Sequence, residues 1–73
     1  MDSFHNHLTP RQTEMLGLVV QGFTNDQIAH RMEIAPSTVK SQLADAFRRL
    51  GVQDRTEAAI AFVRLGTHPA VAS

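Results

Sequence analysis

Only three residues, Glu33-Ile34-Ala35, separate two amphipathic segments, Gln27 to Met32 and Pro36 to Leu50, and this spacing constrains the chain more than any other feature. A link so short allows a tight turn, so a short helix and a longer one must follow each other directly. The longer segment is the better defined. Val39, Leu43, Ala46, Phe47 and Leu50 form a continuous apolar stripe at helical spacing, and Gly51 closes it with the residue type that accepts left-handed backbone most readily. Its cap position falls on Ala35, which has no side-chain acceptor for the first-turn amides. This end is therefore expected to be weaker than one capped by Ser or Asp, by about 0.5–2 kcal/mol.

Two further helices flank this pair. Thr9, followed by Pro10 and then by Gln12, is a capping box with proline at the first helical position. The helix it opens is expected to bury Met15, Leu16, Val19 and Val20 and to end at Gly22. Thr24 with Gln27 repeats the box, and Ile28, Ala29 and Met32 supply one narrow apolar edge. Asp54 and Glu57 mark a fourth start, from which Ala58, Ala59, Ile60, Phe62 and Val63 run on to Gly66. No stretch alternates at period two for long, and no repeat is visible. The expected fold is all-α: a compact four-helix domain over residues 8–66, with a helix-turn-helix in its second and third helices. Residues 1–7 and 67–73 have no periodic pattern and are expected to be flexible tails.

Seventy-three residues make one domain with a thin core, burying about 60% of the unfolded surface. The absence of cysteine excludes disulfides and thiolate metal sites. No apolar run approaches the roughly 20 residues of a membrane span, and Met1 to Leu8 is no signal peptide, so a cytoplasmic protein is expected. There is no glycine-rich phosphate loop, nucleophile elbow or spaced cluster of His and carboxylates, so neither an enzyme nor a cofactor is expected. His5 and His7 lack a third ligand at helical spacing, and Met15, Met32, Phe23 and Phe47 are read as core residues.

A short helix, a tight turn and a longer helix ending in Arg48-Arg49 is the pattern of a DNA reader whose second helix enters the major groove while the first braces it. Opposite the apolar stripe, at about 100° per residue, the longer helix carries Ser37, Ser41, Ala44, Asp45 and Arg48, with Lys40 on the shoulder. Small residues permit close approach to base edges, and Lys40 and Arg48 suit phosphate or guanine. Asp45 on that face would meet phosphate repulsion. An ion pair with Arg48 or Arg49, worth about 0.3–0.5 kcal/mol, is the preferred reading, with acceptance from a cytosine amino group as the other. Overall charge is balanced, with seven Lys and Arg against seven Asp and Glu. Long-range steering toward DNA is accordingly expected to be weak.

Leu8-Thr9-Pro10-Arg11-Gln12-Thr13-Glu14, Asn25-Asp26-Gln27-Ile28-Ala29, Ser37-Thr38-Val39-Lys40 and Arg49-Leu50-Gly51-Val52-Gln53-Asp54-Arg55 closely resemble, in order and spacing, the LuxR/FixJ-type (GerE-like) DNA-binding domain. That resemblance implies a bacterial transcription regulator whose four-helix output domain, as in response regulators, binds double-stranded DNA as a dimer. By position it implies base and nearby phosphate contacts from Lys40, Ser41 and Ala44. Backbone contacts would come from Thr38 and Arg48, and from Asn25 and Arg31 on the preceding helix. Arg11 and Glu14 resemble the structural charged residues near the family's start. The fourth helix would join two copies, and Ala58, Ala59, Phe62 and Val63 are its candidate surface, with core packing expected to claim Ile60 in any case. RNA polymerase or a full-length regulator are further partners of this class, and no membrane partner is expected. The rival reading is a free-standing interaction module that pairs with a full-length regulator and modulates it, which the neutral charge, Ala44 and Asp45 favour.

Overall fold

The computed structural model describes residues 8–64. Expectations about the two tails, the His5 and His7 pair and Gly66 lie outside that range. Within it the chain forms α1 (Pro10–Val20), α2 (Asn25–Met32), α3 (Pro36–Leu50) and α4 (Arg55–Arg64), with no strand among the described residues. No helix there is long and apolar enough to cross a membrane.

The helix starts follow the sequence closely. Thr9 Oγ1 accepts from the Gln12 amide at 3.0 Å while Gln12 Oε1 accepts from the Thr9 amide at 3.1 Å. Thr24 and Gln27 make the same reciprocal pair at 3.2 and 2.9 Å. Each box satisfies two amides that have no partner inside the helix. At α4 the Glu57 amide donates to Asp54 Oδ1 at 2.9 Å. Only α3 starts without a side-chain cap: Ala35 offers its carbonyl, and Pro36 fills the first turn.

The first three helices also end alike. After α1, the Gly22 amide donates to the Val19 carbonyl and the Phe23 amide to that of Leu18. After α2, the Glu33 amide donates to His30 and the Ile34 amide to Ala29, while Gly51 and Val52 pair in the same way with Arg48 and Phe47 after α3. This is the Schellman arrangement, which uses a left-handed residue and is frequently accompanied by an apolar one that folds back onto the helix. Gly22 and Gly51 have φ of 95° and 75°, whereas the second closure is made by Glu33 at φ 59°. Phe23, Ile34 and Val52 all pack against the core.

Packing joins α1 chiefly to α4 and α2 chiefly to α3, with α1 also lying against α3. Met15, Leu16, Ile28, Val39, Ala46 and Ala58 are completely enclosed. Because α1 touches the other three helices, its buried arc is wider than one amphipathic edge. It includes Leu18 and Gln12, and Val20 lies half-buried at the margin. On α4 the expectation is corrected. Ala58 and Phe62, four residues apart, face inward, and Ile60, halfway between them, is turned out and 51% exposed.

Candidate nucleic-acid interface

Since Val39, Leu43, Ala46 and Leu50 commit one side of α3 to the core, the rotation of the helix is settled by burial. Ser37, Lys40, Ser41, Ala44 and Arg48 then share an exposed strip spanning about 100° of arc. The strip contains no large apolar side chain and carries Lys40 at one margin and Arg48 toward the other. Thr38 lies half-buried beside it.

Gln42, Asp45 and Arg49 form the flank of α3 that looks toward α1. Here the reading of Asp45 as part of the exposed face is corrected. Its side chain is 32% exposed and is held by three donors. Gln12 Nε2 donates to Oδ2 at 2.8 Å, Arg49 Nε lies 2.7 Å from the same oxygen, and Arg48 Nη2 donates to Oδ1 at 2.8 Å. Hydrogen bonding from Gln12 above all, with the charge and hydrogen bonds of Arg49 and a hydrogen bond from Arg48, holds the carboxyl below the usual aspartate range against the opposing effect of burial. The expected pairing with Arg48 or Arg49 is thus present with both at once. Arg48 remains the outermost member, its side chain 73% exposed.

Gln12 is the residue that pattern reading undervalued. It is 1% exposed, and both its side-chain polar atoms are hydrogen-bonded inside the fold. The oxygen closes the capping box; the amide nitrogen donates to Asp45 and, at 3.2 Å, to Gln42 Oε1. The tie between α1 and α3 is therefore made by Gln12, while Arg11 and Glu14 are both exposed. Arg55 was also undervalued. Its guanidinium donates to Asn25 Oδ1 at 2.8 Å and to the Phe23 carbonyl, pinning the start of α4 to the start of α2. Asn25 is half-buried and already engaged in that bond. Arg31 is exposed, with its guanidinium carbon 4.9 Å from the centre of the Phe23 ring, a cation–π contact that leaves its edge open.

Of the four residues assigned to a surface on α4, Ala58 and Phe62 are core, with 0% and 3% exposure. Ala59, Val63 and the unassigned Ile60 instead line a shallow open groove of about 440 Å³, shared with Val20 and Arg64. Among the described residues no group of three or more His, Asp or Glu is arranged to hold a metal ion.

The family described as "Bacterial regulatory proteins, luxR family" matches residues 6–62. The chain belongs to that family, and its helix-turn-helix is a DNA-binding module of transcription regulation. Among similar proteins is the HTH-type transcriptional regulator MalT of Vibrio cholerae serotype O1, 39% identical over 51 residues, which is 70% of this chain and 6% of that protein. The regulators of the same name from Yersinia pestis (strain Pestoides F) and Yersinia pseudotuberculosis serotype O:3 (strain YPIII) are each 41% identical over 51 residues, with the same shares covered. The chain thus spans 6% of the length of these curated relatives. No solved structure matches it.

Proposed function

We propose that the chain recognises a specific duplex sequence as a homodimer, with α3 in the major groove and α4 joining the copies. The observation that carries this reading is the exposed strip of α3. Ser37, Ser41 and Ala44 would leave room for base edges, and exposed Lys40 and Arg48 would meet phosphates along the groove. Arg31 and Thr38 would add backbone contacts, whereas Asn25 acts through Arg55 as a brace. Two copies related by a twofold axis would set their α3 helices about 34 Å apart, one turn of DNA. The names of the relatives, transcriptional regulators, agree with a regulatory output. Selection from a random duplex pool at low salt tests the reading. The expected product is a palindrome with half-sites about one helical turn apart. Lys40→Ala should weaken binding to all duplexes and flatten the dependence on salt, because a phosphate contact carries little sequence information. No retained duplex in any salt would overturn it.

A second reading is favoured by one specific observation. Ile60 and Val63 expose apolar surface on a chain of zero net charge. A module that pairs through α4 with a full-length regulator would use that same surface. Pairing without any duplex affinity would decide for it.

A further inference from the structure

Two arginines sit at the end of the reading helix, yet they share a single carboxylate. Asp45 lies three residues before Arg48 and four before Arg49, and it meets both at 2.8 and 2.7 Å. The two oxygens are used unequally. Oδ2 takes Gln12 and Arg49, on the flank toward α1, while Oδ1 takes Arg48, on the side of the exposed strip. Gln12 is enclosed, so its amide nitrogen must keep an acceptor and Asp45 is held in place from below. Arg48 lies on the exposed strip and, with its side chain 73% exposed against 42% for Arg49, is the partner better placed to exchange Asp45 for a DNA phosphate.

We propose that Asp45 is a specificity-determining residue that acts through Arg48, holding that guanidinium off phosphate and so lowering the sequence-independent share of duplex affinity. The inference rests on the duplex-binding reading above and deepens it. An arbitrary duplex must displace Asp45 to gain Arg48, whereas an operator held in register by base contacts presents its phosphate at a fixed place. The net charge of the Asp45, Arg48 and Arg49 group is +1 instead of +2, which restrains binding to any polyanion. Gln12 is a positioning residue in this arrangement, because it fixes where the carboxylate stands.

Asp45→Asn separates charge from packing. The Asn oxygen can take the Oδ2 position and still accept from buried Gln12 and from Arg49. Its NH2 group then faces Arg48, which it cannot bind, so Arg48 alone is released. Fluorescence anisotropy with a labelled duplex of arbitrary sequence, titrated across a range of salt, reads the effect. D45N should bind more tightly than the unaltered chain, with the salt slope steeper by about 0.9, one phosphate. The ratio of the two affinities then grows about threefold between roughly 200 and 50 mM salt. Adding Arg48→Ala to D45N should remove this gain.

Equal slopes for D45N and the unaltered chain would overturn the inference while leaving duplex binding intact. So would a gain that survives in D45N/R48A, since the charge would then act without Arg48. Weaker binding by D45N, confined to the selected operator, would show Asp45 contacting a base and would also overturn it. If neither protein binds duplex at any salt, the duplex reading falls and this inference falls with it.

Discussion

At the scale of single residues, one buried amide ties the reading helix to α1. Gln12 has an acceptor or donor for each side-chain polar group: the Thr9 amide below, and Gln42 and Asp45 across the helix interface. Gln12→Leu keeps the volume but takes away the donor to Gln42 Oε1 and the acceptor of the Thr9 amide, and leaves Asp45 Oδ2 to Arg49 alone. It should cost about 1–3 kcal/mol of stability, measured as a lower midpoint in urea unfolding. Asp45 gives this knot a pH dependence of definite sign. Its carboxyl is held below the ordinary aspartate value in the folded state, chiefly by Gln12 and then by Arg49. Its contribution to folding is therefore complete above the unfolded aspartate pKa and is lost as pH falls through the lower folded value. The difference in unfolding midpoint between the unaltered chain and Asp45→Asn should accordingly be constant near neutrality and shrink in acid below the ordinary aspartate range. The Asp45 pair with Arg48 and Arg49 was legible from its spacing of three and four residues. The Gln12 contact was not, because it joins residues 33 positions apart.

At the scale of elements, three helices use one terminating device and two of them have the favoured residue for it. Glu33 occupies the left-handed position that Gly22 and Gly51 fill elsewhere. A side chain there costs about 1–2 kcal/mol, partly returned by the smaller entropy loss of a non-glycine residue. Glu33→Gly should therefore stabilise the fold by about 1 kcal/mol with an unchanged urea m-value. The uncapped start of α3 is the matching weakness. Ala35→Ser would supply an acceptor to the first-turn amides and should raise stability by about 0.5–2 kcal/mol, read as a higher thermal midpoint. Capping signals within four residues made the starts of α1, α2 and α4 readable almost to the residue, and Pro36 marked that of α3. The left-handed Glu33 was hidden, because nothing in its side chain asks for that backbone. The apolar Ile34 that follows and packs on the core holds it there.

At the scale of the whole molecule, α4 has two commitments that the sequence alone did not separate. Ala58 and Phe62 close the core against α1, and Ala59, Ile60 and Val63 are left along the outer groove. Phe62→Ala should cost about 3–5 kcal/mol, much of the stability of so small a domain, and should show as loss of the unfolding transition at room temperature. Ile60→Glu should leave the thermal midpoint nearly unchanged, since Ile60 is already half in water. In sedimentation equilibrium it should give a monomer, and it should abolish cooperative binding to paired half-sites while leaving affinity for a single half-site intact. A variant that still dimerises would exclude this face of α4 as the joint. Apolar composition marked α4 as rich in candidates. Only its packing against α1 sorted them into core and surface.

The sequence by itself determined the four helices, most of their ends and the side of α3 that must be buried. These depend on local physics: backbone hydrogen bonds satisfied within four residues, and an apolar stripe with a fixed angular period. It also carried the family, because the motif residues recur in order along most of the chain. The tertiary structure alone decided that Gln12 is enclosed and ties α1 to α3, that Asp45 turns from the exposed strip toward α1, and that Arg55 binds the start of α2. It likewise left Ile60 outside while Phe62 went in. Each of these is a contact between helices, set by how the helices rotate to bury the most apolar surface without stranding a polar group, and no local pattern encodes that compromise.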